Sequence, residues 1–160
     1  VPTPEPLIIP GCETFLPLTT AKSLFSDYTE VLGDDNSVPI HGHELPEVAT
    51  AASNASIAKN CVWGVPNSDG AFSLSITDIT DTDAANLTAA LLATGFLGVT
   101  TGGVTALEFS AETTIGTSAT THYLVGDLWI SVTGTSLEFT TDIADRTFGE
   151  IRTANPTHSY

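Results

Sequence analysis

The chain has 160 residues, with 4 Lys and Arg against 19 Asp and Glu, a formal net charge of −15, and a hydrophobic fraction of 41%. That length suits one compact domain, and the charge repels phosphate backbones and anionic lipid surfaces, which excludes nucleic acid as a partner. No apolar run approaches the roughly 18 to 20 residues that cross a bilayer, so no membrane span is expected, and the apolar fraction is too high for a disordered acidic tail.

The opening Val1-Pro2-Thr3-Pro4-Glu5-Pro6 alternates proline with other residues. Such a pattern holds a chain extended and solvated, so residues 1–11 are expected to be a tether and 12–160 a single domain. With no Met and a first residue Val1, the chain reads as a processed product whose export signal has been removed. Cys12 and Cys61 are the only cysteines. In a cytosolic protein they would be two buried thiols; in an exported one they would form a disulfide. The even count, the scarcity of Lys and the Pro-rich start favour the exported case. Closing a loop of about 50 residues would add about 4 kcal/mol in the chain-entropy description.

Leu18 to Asp27 reads as a short helix, capped by Thr19 or Thr20, with Ala21, Leu24 and Phe25 inward. A loop runs from Gly33 through Asp34-Asp35, Pro39 and His41-Gly42-His43. Pro46 suits the first turn of a helix over Glu47 to Ala58, whose apolar stripe is Val48, Ala51, Ala52 and Ala55. Cys61-Val62-Trp63 opens a strand, and Val65 to Gly70 has the chemistry of a hairpin turn. The return, Ala71 to Thr77, alternates: Phe72, Leu74 and Ile76 are expected inward, Ser73, Ser75 and Thr77 outward. Asp81-Thr82-Asp83 reads as a cap for a helix running from Asp83 to Thr94, with Leu87 and Leu91 on one face and Gly95 as the stop. Gly98 to Gly103 is expected to be a bend. It lacks the Lys-Ser/Thr pair of a phosphate loop. Strands follow at Val104 to Glu112, Thr121 to Val125 and Leu128 to Thr133, the last two flanking Gly126-Asp127. A final helix fits Glu138 to Thr153, with Asp142 and Arg146 four residues apart. The expected class is α+β: a mainly antiparallel sheet covered by helices.

Cys12-Glu13-Thr14-Phe15-Leu16-Pro17-Leu18-Thr19, running into a helix, resembles the opening of actinobacterial cell-envelope lipoproteins of unknown function, and Cys61-Val62-Trp63 resembles their Cys-x-Trp strand. The resemblance implies a sandwich like that of the PsbP-like proteins, an extracytoplasmic location, and binding or sensing rather than catalysis. It supplies no catalytic residue.

His41, His43 and Glu44 could hold Zn²⁺ or Cu²⁺, which favour nitrogen ligands. Histidines two apart on a Gly-containing loop fix little geometry, and two solvated histidines are the plainer reading. Asp78, Asp81 and Asp83 could attract Ca²⁺, but EF-hand spacing is absent and turn and cap roles explain them. No Gly-x-Ser-x-Gly elbow is present. The sequons at Asn54 and Asn86 fall in expected helices. Trp129 faces opposite to Leu128, Ile130 and Val132. If its sheet face is open, Trp129 with Tyr123 could anchor a ligand or partner. Trp63 is expected in the core against the disulfide. The sequence thus reads as an exported, non-catalytic binding or sensor-type domain, secreted or anchored at the cell envelope. It needs no cofactor and favours cationic ligands or basic partners. The alternatives are a metal-binding protein or metal-dependent enzyme using His41, His43 and Glu44, and a structural surface protein marked by self-association.

Overall fold

The computed structural model describes residues 5–37 and 45–160. Strands β1 (Glu30–Asp35), β2 (Ala58–Gly64), β3 (Ala71–Asp78), β4 (Leu97–Thr101), β5 (Val104–Thr113), β6 (Gly116–Val125) and β7 (Leu128–Gly134) form one sheet. Its order is β1-β2-β3-β7-β6-β5-β4, and every neighbouring pair is antiparallel. Helices α1 (Cys12–Phe15), α2 (Leu18–Leu24) and α5 (Leu137–Ala154) pack on one face, and α3 (Pro46–Asn54) with α4 (Asp81–Ala93) on the other. The α+β class, the antiparallel sheet with its helical cover and the single disulfide are all observed.

The α5 side holds the larger core. Cys12 and Cys61 are bonded, with Cα atoms 5.7 Å apart, which ties α1 to β2. Trp63 beside the bridge stacks on Phe72 at 5.3 Å between centroids, and Phe72 meets Phe139 edge-on at 4.7 Å and Phe25 at 5.0 Å. Ile143, Ala144 and Ile151 bring α5 down onto Leu128, Ile130 and Val132 of β7. The Ser136 side chain caps α5 by accepting from the Phe139 N–H at 3.2 Å. Arg146 Nε donates to Asp142 at 2.9 Å on the solvent side, as the spacing predicts.

The departures have local causes. β1 and β4 are edge strands, solvated along their outer sides, so neither needs a clean alternation of apolar and polar residues. Gly102 and Gly103, at φ 59° and 83°, make the β4–β5 turn, so the expected bend is confined to them and Leu97 to Thr101 is strand. Helix α2 ends at Leu24, which is exposed rather than inward, and its N-cap is Pro17 without a side-chain cap. Helix α3 ends at Asn54, because Ala58 already belongs to β2. Helix α4 begins at Asp81, and its cap is Thr80, whose Oγ1 accepts from the Asp83 N–H at 3.1 Å. The expected tether is partly docked. Leu7 is buried in the core. Asn155 receives the Ile8 N–H at 2.7 Å and donates to the Ile8 carbonyl at 2.8 Å. Leu7 and Ile8 thus already contact the body of the domain ahead of Cys12.

Asp78 closes the α3–β2 connection. Its carboxylate accepts from the backbone N–H groups of Ser56 (2.8 Å) and Ile57 (3.0 Å) and from the Ser56 hydroxyl. Burial pushes its pKa up, but the hydrogen bonds from the Ser56 side chain and the Ile57 and Ser56 amides together outweigh this, and the net shift is down. A depressed folded pKa stabilises above the unfolded value of about 3.9, and that contribution disappears as pH falls through the folded pKa. Asp78→Asn should lower stability by about 1 kcal/mol at neutral pH. The gap to wild type should narrow as pH falls through the depressed folded pKa of Asp78; urea titrations at neutral pH and at a series of acid pH values check this.

Candidate functional site

The face beneath α3 and α4 carries a transverse polar row. Asn60, Ser75, Ser131 and His122 lie side by side across β2, β3, β7 and β6, and Leu107 of β5 continues the line. The neighbouring positions Ser73 and Thr77 share this face. All six polar residues are buried, which corrects the expectation that Ser73, Ser75 and Thr77 face solvent: helices cover both sides of the sheet. Ser75 Oγ donates to Asn60 Oδ1 at 3.1 Å, and Trp129 Nε1 donates to His122 Nδ1 at 3.0 Å. His122 Nδ1 therefore presents a lone pair, and in the neutral ring the proton sits on Nε2. Among the described residues, the hydroxyls of Thr77 and Ser131 make no hydrogen bond. Leaving such a group unsatisfied costs about 1–3 kcal/mol.

The cover over this row is thin. α3 contributes Val48, Ala51 and Ala52, and α4 contributes Leu87 and Leu91, packed on Ile79, Leu107, Leu124 and Trp129. On the outer side, α3 and α4 leave a groove of about 490 Å³ whose polar lining is Glu47, Thr50, Asp83 and Asn86. Asp83 is largely buried, and its Oδ2 accepts from Asn54 Nδ2 at 2.9 Å. Glu47 sits in the first turn of α3, where the helix dipole favours an acid. All four basic side chains of the chain lie elsewhere: Lys22 on α2, Lys59 on β2, Arg146 and Arg152 on α5. Lys59 lies across from Ile76, on the α5 side of the sheet, and pairs with Asp34. The groove is thus acidic with no Lys or Arg on its helices.

Trp129 and Tyr123 do not form a platform. Trp129 is 1% exposed, and α3 with α4 close the face on which it lies. Tyr123 pairs with Ile130 and points to the α5 side, where its hydroxyl donates to Asp145 Oδ1 at 2.6 Å. Burial, and then Asp145, push the Tyr123 phenol well above its ordinary pKa, so it stays a donor. His41, His43 and Glu44 lie outside the described residues. Asp78, Asp81 and Asp83 serve separate ends: a loop clamp, the first turn of α4, and the Asn54 bond. Sequence reasoning missed the groove. Its only signal was an acid in each of two consecutive helices. The chain matches no known protein family, no curated protein and no solved structure.

Proposed function

We propose that the chain is an exported, non-catalytic binding or sensor-type domain of the cell envelope, with the α3–α4 groove as the seat for a small organic cation. The carboxylates of Glu47 and Asp83 lining one groove carry the proposal. An ammonium or guanidinium group would be held by charge-assisted hydrogen bonds, while Pro46, Ala89 and Ala90 would receive the aliphatic part of the ligand. The volume falls within the roughly 300–1,000 Å³ of small-molecule sites. The disulfide supports an oxidising compartment, and the likeness around Cys12 and Cys61-Val62-Trp63 supports an envelope lipoprotein kinship.

Titration with spermidine and with agmatine, followed by amide NMR, tests the seat. Shifts should concentrate at Glu47, Thr50, Asp83 and Asn86 and weaken with added salt. Glu47→Gln combined with Asp83→Asn should weaken binding at least about tenfold. The absence of shifts with both probes would remove the groove from consideration.

A further inference from the structure

We infer that the chain pairs with a second copy of itself through β4, the two edge strands joining antiparallel into one continuous sheet. The sheet has two edges of opposite character. β1 carries Glu30, Asp34 and Asp35 and a bulge between Val31 and Gly33, the devices that keep an edge from recruiting another strand. β4 has none of them. Leu97-Gly98-Val99-Thr100-Thr101 has no charge and no Pro, pairs with β5 in unbroken register, and is exposed at every residue. Its outer side offers unpaired backbone groups.

The surroundings match. Leu97 and Val99 are 78% and 65% exposed on the α5 side. On the other side half-exposed Leu92 of α4 lies over Gly98, where an added Cβ would meet its Cδ2 at 3.1 Å. Both faces of the edge are therefore rimmed by apolar side chains. From Ala84 through Leu107 the chain has no charged residue. The first acid beyond, Glu108, accepts from Thr141 Oγ1 on α5 at 3.0 Å.

The charge pattern selects the occupant. A basic partner would find no carboxylate along this strip. Two copies with a charge of −15 each repel one another over most of their surfaces, and β4 lets them meet with no charge face to face. A two-fold axis normal to the sheet keeps each face on its own side. Leu92 would then meet its counterpart across one face of the junction, and Leu97 and Val99 theirs across the other.

Sedimentation velocity of the full chain from about 5 to about 500 µM, at about 0.02 and about 0.5 M NaCl, reads the association. A dimer that strengthens with salt is expected, together with slowed hydrogen exchange at 97–101 in the dimer. Leu97→Glu combined with Val99→Glu should raise the dissociation constant about a hundredfold or more. Because both side chains are exposed in the monomer, the variant should keep the wild-type melting temperature at concentrations where the wild type is itself monomeric. A monomer across the whole range overturns the inference. So does a dimer that the paired Glu substitutions leave intact, or one in which exchange at 97–101 is unchanged.

Discussion

Replacing Cys12 and Cys61 together by alanine is expected to lower the unfolding free energy by about 4 kcal/mol, the chain-entropy value for a loop of this length. The bridge spans 49 residues of sequence separation, and that loop contains β1 and α3 and reaches into β2. In the cross-linked chain the denatured ensemble is already confined, so less disorder is gained on unfolding. Both sulfurs are buried, so alanine also leaves a small void and the loss should not fall below the entropic value. A domain of this size has only about 5–15 kcal/mol in total, so the change removes a large share. Urea unfolding should show a lower midpoint and a steeper dependence on denaturant, because the open chain exposes more surface. Identical curves for the two proteins would mean that the bridge adds nothing.

Phe72→Ala should cost about 3–5 kcal/mol. The ring is the meeting point of Phe25 on the α2 side, Trp63 on β2 and Phe139 on α5. Its removal takes a contact from three rings at once, leaving Phe25 and Phe139 only each other at 6.1 Å between centroids, and three separate elements cannot collapse together into the void. Phe72→Leu, which keeps most of the volume, should cost about 1.5 kcal/mol or less. The comparison separates filled volume from ring geometry: equal losses in the two variants would show that the cluster demands the aromatic ring itself and that restored apolar volume stabilises nothing. Thermal and urea melts of both variants decide it.

The elements legible in the sequence were those whose burial leaves a period. Phe72, Leu74 and Ile76 mark β3, Leu128, Ile130 and Val132 mark β7, and Ala144, Phe148 and Ile151 mark α5. The pairing of Cys12 with Cys61 followed from count and context. What escaped notice obeys different physics. β4 is solvated on every residue, so its glycines outweighed its Leu and Val. Ser73, Ser75 and Thr77 read as solvent-facing because hydroxyls usually are; here α3 and α4 cover them. The same cover hid the fate of Trp129, since no local pattern says whether a second helical layer exists. The α3–α4 groove depends on how two helices pack, and Glu47 and Asp83 lie far apart in sequence. Their convergence could not be read from spacing.

The strand order also shapes how the molecule comes together. β1, β2 and β3 lie side by side in chain order, as do β4 through β7, and each set forms a ribbon from neighbouring segments. Among the described residues, the β3–β7 ladder in the middle of the sheet is the one strand pairing that joins the two ribbons, and it does so across the whole span from Ser73 to Thr133. Ordering that span is entropically expensive until each ribbon has shortened it. The two halves should therefore assemble first and meet at β3–β7 last, so that the most deeply enclosed part of the sheet is the final piece to dock.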